Sequence, residues 1–84
     1  DAGAPAVQPL EFQPNPASDF IWLKNLPATG RVEVYDLNRA LRIGKSLPGG
    51  DFRLDLAGLE NGFYLIRYLA EGRIWQGRLV VLRR

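Results

Sequence analysis

Eighty-four residues, 46% hydrophobic and 24% charged with a net charge of +2, describe a single folded domain and exclude a disordered segment. The chain has no cysteine and no histidine. That rules out disulfides, thiolate or imidazole metal sites and the histidine-dependent nucleophilic arrangements within this sequence.

No run approaches the roughly 20 consecutive apolar residues of a membrane-crossing helix, and no basic-then-apolar signal opens the chain. Methionine is absent, position 1 included, so a processed fragment or a piece of a larger protein is expected. After Glu71 there is no acid, while Arg73, Arg78, Arg83 and Arg84 follow. A solvated strand face explains that basic end, and a recognition surface for a partner is the sharper reading. Nucleic-acid binding ranks below both, because the other cations are spread out with acids among them.

In chain order, residues 1–9 read as a linker of small residues and prolines, and residues 10–84 as the folded domain. Leu10 to Gln13 alternates briefly, and Pro14-Asn15-Pro16 then excludes helix by fixing φ and restricting the preceding residues. Asp19 to Asn25, rich in aromatic and branched side chains, predicts a strand closed by a turn at Leu26 to Gly30. Arg31 to Leu37 puts Val32 and Val34 on one face and Glu33 and Tyr35 on the other. Leu41 to Leu47 and Asp51 to Leu56 alternate again, separated by Pro48-Gly49-Gly50. A loop is expected over 57–62. Two further strands, Phe63 to Ala70 and Arg73 to Leu82, flank a hairpin at Glu71-Gly72. Gly77 inside the last strand marks a bulge or a close backbone approach.

Seven short strands, with turn signals about every 8–12 residues and no helical period, argue for an all-β antiparallel sandwich or small barrel, the sandwich preferred. The expected core holds Ile21, Leu23, Val32, Val34, Leu54, Leu56, Leu65, Leu79 and Val81.

The order of the pieces carries more than their composition. Pro14-Asn15-Pro16-Ala17-Ser18-Asp19 precedes Ile21-Trp22-Leu23; then come Val32-Glu33-Val34-Tyr35-Asp36-Leu37 and Leu54-Asp55-Leu56-Ala57-Gly58-Leu59. Gly62-Phe63-Tyr64-Leu65-Ile66-Arg67 and Arg78-Leu79-Val80-Val81 complete the series. From about Leu10 to Arg84 the chain resembles the type A C-terminal sorting domain of the type IX (Por) secretion system of Bacteroidota. The resemblance implies a seven-stranded antiparallel immunoglobulin-like β-sandwich fused behind an exported cargo protein. It also implies passage through the periplasm, recognition by outer-membrane shuttle and translocon components, and delivery to the cell surface or the medium. In many members a sortase-like C-terminal signal peptidase removes the domain. Where the family usually has Gly then Lys or Arg after the Tyr-Asp-Leu-x piece, this chain has Arg39 and Ala40, and the left-handed turn residue is expected to shift to Asn38.

Candidate recognition residues follow: Pro14, Asn15, Pro16 and Asp19; Gly62 and Tyr64; Arg78, Leu79, Val80, Val81, Arg83 and Arg84. Each has a plainer structural reading. The first group makes a stiff turn, Gly62 and Tyr64 shape a strand start and fill a core end, and the arginines blunt a strand edge. The sharper reading of the last strand is backbone edge pairing oriented by its arginines.

Trp22, Tyr68 and Trp75 are a candidate sugar or nucleic-acid platform, though such residues more often cap a small core. Asp51 and Asp55, four apart on one strand, are about 13 Å apart, beyond the roughly 5–9.5 Å of a glycosidase pair. Ser46 has no triad partner, and Asp36 with Asn38 brings too few oxygens for calcium. No cofactor, no metal, no catalysis and no nucleic-acid partner are expected. The alternative function is a glycan-binding or structural immunoglobulin-like accessory module.

Overall fold

The computed structural model describes residues 7–84, and residues 1–6 of the expected linker lie outside that range. The described chain is all-β. Its strands are β1 (Val7–Pro9), β2 (Phe12–Gln13), β3 (Phe20–Leu26), β4 (Gly30–Tyr35), β5 (Leu41–Leu47), β6 (Gly50–Asp55), β7 (Gly62–Ala70) and β8 (Arg73–Val81). They form two sheets, one ordered β1-β8-β7-β4-β5 and the other β2-β3-β6.

Two features depart from the expected seven antiparallel strands. There are eight, because Val7–Pro9, assigned to the linker by composition, pairs with Ile74–Gln76 of β8. That pairing is also parallel, so the larger sheet is mixed. Three exposed residues, one of them proline, carry no alternation that a sequence could display.

One core fills the space between the sheets. Ile21, Leu23 and Leu54 reach it from the smaller sheet, and Val32, Val34, Ile66, Tyr68, Leu79 and Val81 from the larger. Period-2 alternation accounts for each, with one correction. Leu65 points outward, and its neighbours Tyr64, Ile66, Tyr68 and Ala70 point in. Phe63 to Ala70 is apolar on both faces except at Arg67. The charge at that position is what fixes the odd-numbered residues as the outer set.

The turns follow their chemistry. Glu71 and Gly72 both take positive φ (53° and 72°), the conformation of the tight turn that matches strand twist, and β7 and β8 pair without a break from Gly62↔Val81 to Ala70↔Arg73. The β4–β5 turn is built by Asp36, whose Oδ1 accepts the N–H groups of Asn38 (2.8 Å) and Ala40 (3.0 Å). Its left-handed residue is Arg39 (φ 65°), not Asn38 as expected. Asp36 O accepts Arg39 N–H at 3.0 Å and Asp36 N–H donates to Ala40 O at 3.0 Å, which fixes the reversal at Arg39.

Gly77 marks a close approach, not a bulge. A Cβ there would lie 2.7 Å from Cε1 of Phe12, whose ring covers the strand at that point. Gly77→Val is therefore expected to displace Phe12 and cost about 1–3 kcal/mol. Urea denaturation should show a lower midpoint with an unchanged slope, and Phe12→Ala in the same background should recover part of the loss.

Candidate functional site

The candidate recognition residues gather mostly along one strand. β8 is bordered by β7 on one side; on the other it meets a series of partners from the N-terminal part of the chain. β1 covers Ile74–Gln76, and Leu10 N–H donates to Gln76 O at 3.0 Å. Next, the Asn15 amide acts as a substitute strand, its Nδ2 donating to Arg78 O and its Oδ1 accepting Val80 N–H, both at 2.9 Å. Ala17 continues the series, donating to Val80 O and accepting from Leu82 N–H, both at 2.8 Å. The prolines on either side of Asn15, both in cis peptide bonds, lack N–H groups and leave its side chain to do the pairing. The expectation of free backbone edge pairing over Arg78 to Val81 is thus corrected: that edge is already occupied.

The end of β8 is held by Arg83. Its Nε donates to Asp19 Oδ1 (3.1 Å), Nη2 to Leu56 O (2.7 Å) and Nη1 to Leu59 O. Asn61 grips the same residue by its backbone, accepting Arg83 N–H at 2.8 Å and donating to Arg83 O at 2.9 Å. The planar fork of five donors suits this task, reaching a carboxylate and two loop carbonyls at once. One residue therefore ties β8 to the segment before β3 and to the loop between β6 and β7. Asn61 was not singled out by sequence reasoning. Its only signal was its place just before Gly62 in a loop, the usual mark of a turn.

The remaining candidates separate by burial. Leu79 and Val81 lie in the core, and Tyr64 is buried with its hydroxyl donating to Glu60 O at 2.6 Å, so these three act by packing. Gly62 opens β7 at φ 156°, a backbone state that disfavours side chains. Arg78 and Arg84 are exposed, and Val80 is half-buried.

No aromatic platform forms. Tyr68 is fully buried and donates to Ala28 O at 2.6 Å; Trp75 packs beside it with ring centroids 6.5 Å apart. Trp22 stands on the other sheet, 40% exposed, with the Lys24 ammonium 6.0 Å from its ring centre. Asp51 and Asp55 serve locally, Asp51 accepting from Lys24 and Asn25 and Asp55 from Ala57 N–H. Among the described residues no group of three or more acidic side chains is placed to hold a metal ion.

Four titratable groups give the pH dependence of stability a direction. The Tyr35 hydroxyl, with help from Arg31 and Arg67, holds the Glu33 carboxyl below its ordinary range against the opposing effect of burial. The Asn25 N–H and the Lys24 ammonium do the same for Asp51. Tyr35, bonded to the Glu33 carboxylate, and Tyr68, desolvated, are both pushed up. A depressed carboxyl stabilises the fold above its unfolded pKa and loses that contribution as pH falls; a raised tyrosine stabilises below its unfolded pKa and loses that contribution as pH rises. With no histidine to titrate between, the melting temperature should stay flat from about pH 5 to 9 and fall on both sides. Thermal melts across that range check it, and Glu33→Gln should flatten the acid limb in part.

The proline-flanked asparagine, the loop before β7 and the final strand are thus fastened together in an all-β domain of two sheets. The family model described as the secretion system C-terminal sorting domain matches residues 11–82. The chain belongs to that family, the sorting domains of type IX secretion. No curated protein matches the chain. Membership ties it to the type IX machinery and to export toward the outer membrane, the cell surface or the medium. No helix among the described residues is long and apolar enough to cross a membrane.

Proposed function

We propose that this domain is a folded address, directing an attached upstream cargo protein from the periplasm across the outer membrane and leaving its removal to a sortase-like C-terminal signal peptidase at the surface. The partners on this reading are the shuttle and translocon components of the type IX apparatus and the fused cargo, and the role is recognition without catalysis. Family membership over residues 11–82 carries the reading. It is supported by the convergence of the Pro14-Asn15-Pro16, Asp19 and Arg78–Arg83 pieces on one strand. Two sheets around a shared core also support an immunoglobulin-like assignment of the sandwich. A rigid module of this kind presents scattered side chains at little ordering cost on docking.

The test fuses all 84 residues behind a periplasmically exported reporter in a host with type IX secretion. Surface arrival of the reporter is the expected result, and a folded fusion retained in the periplasm overturns the reading. Deleting the last residues does not separate recognition from folding, because Arg83 holds the structure. Arg84→Glu does, since Arg84 is exposed: lost delivery at an unchanged melting temperature assigns the terminal cation to recognition.

A further inference from the structure

The outer face of the five-stranded sheet holds a feature that the fastening of β8 does not explain. Two adjoining hollows of about 430 and 400 Å³ share Asp36 and Leu65 as lining. Leu37 (76% exposed) and Phe63 (62% exposed) flank the second hollow, large apolar side chains left in water. Arg39 and Arg67 line the first and Arg78 the second.

The charges are unbalanced. Asp36, the acid in the lining, is already engaged by the N–H groups of Asn38 and Ala40 and by Arg42, with Nη1 3.6 Å from its Oδ2. Nearby, Glu33 is taken by Arg31 and the Tyr35 hydroxyl. Among the described residues, Arg39, Arg67 and Arg78 form no ion pair, although Arg67 donates Nε to Gln76 Oε1 at 3.2 Å and lies across from Glu33. Arg39 also holds a left-handed backbone conformation that a side chain disfavours, on a turn locked by hydrogen bonds that keep Leu37 and Arg39 on display. The spacing suits a strand: Phe63, Leu65 and Arg67 are successive outward residues of β7, about 6.8 Å apart, the repeat of alternate side chains in an extended peptide.

We propose that this hollow binds an extended acidic segment of a partner protein, seating a bulky apolar side chain on Leu65 between Leu37 and Phe63 and pairing its carboxylates with Arg39, Arg67 and Arg78. Guanidinium groups bind carboxylates through paired hydrogen bonds, and cations around an apolar floor select against basic or uncharged sequences. The proposal stands apart from the export reading, because its test is binding by the chain itself.

The isotope-labelled 84-residue chain is titrated with a capped heptapeptide whose odd positions carry aspartates and one leucine and whose even positions are serine, so that carboxylates and apolar side chain share one face of the extended peptide. Saturable amide shifts are expected over residues 35–39, 63–67 and 78, at sub-millimolar affinity. Arg39→Glu with Arg78→Glu should weaken binding about tenfold or more, and Phe63→Ser about threefold, with the melting temperature little changed. Arg39→Gly should raise the melting temperature while lowering affinity, a divergence that a purely structural arginine does not give. The proposal is overturned if no saturable shift appears by about 1 mM, or if the shifts map elsewhere. Equal binding of the lysine-substituted peptide also overturns it, as does binding of phosphatidylglycerol vesicles without the peptide, or occupation of the hollow by a second copy in sedimentation runs.

Discussion

Arg83→Ala is expected to destabilise the domain by about 2–3 kcal/mol, an effect large for a residue so near the end of a chain. The guanidinium makes three contacts, one to a carboxylate and two to loop carbonyls, and its side chain is only 26% exposed. Truncation leaves Leu59 O without its donor, Leu56 O with the Leu59 N–H alone, and Asp19 without its cation. Arg83→Lys should recover less than half of the loss, since a single ammonium cannot span three acceptors in a fixed fork. Urea denaturation of the three proteins measures this directly. If Arg83→Ala unfolds at the wild-type midpoint, the fastening described above contributes nothing to stability. If the folded form is the one recognised, as proposed above, surface delivery of a fused reporter should fall with the measured stability.

Tyr68→Ala is expected to cost about 3–5 kcal/mol. Tyr68 is the largest fully buried side chain among the described residues, and its ring lies against Gly30, where a Cβ would come within 2.9 Å of Cζ and which has no side chain to relax into the void. A domain of this size is stabilised by roughly 4–13 kcal/mol, so the variant should lose from about a quarter to all of its stability. Tyr68→Phe isolates the hydroxyl. It removes only the bond to Ala28 O and should cost about 1–2 kcal/mol, partly offset where water reaches the carbonyl. A phenylalanine variant as unstable as the alanine variant would contradict the packing account.

What the sequence displayed and what it hid divide along a physical line. Alternation in 31–37 and 51–56, the Glu71-Gly72 reversal and the break at Pro48-Gly49-Gly50 are local signals, and β4, β6, the β7–β8 hairpin and the β5–β6 turn stand where they pointed. Leu65 was misplaced because a strand with apolar residues on both faces has no alternation to read; only Arg67 reveals the phase. The Asn15 contact lies beyond any local pattern, since it joins residues 63 and 65 positions apart. The resemblance to sorting domains named the residues of that contact without saying what they touch. Arg39 carries a general lesson: hydrogen bonds from Asp36 and Ala40 set the reversal, and backbone geometry at that position overrode the preference of the adjacent asparagine.

β1 runs parallel to β8, with Val7 beside Ile74 near the Glu71-Gly72 reversal, while Leu82 and Arg83 are fastened at the opposite pole. At about 3.3 Å per residue, the two poles are roughly 25 Å apart. Val7 and Arg83 thus stand at opposite poles of the larger sheet. On the proposed reading, a receptor that engages Leu82 and Arg83 docks at the pole remote from Val7, much as a luggage tag is read at its free end.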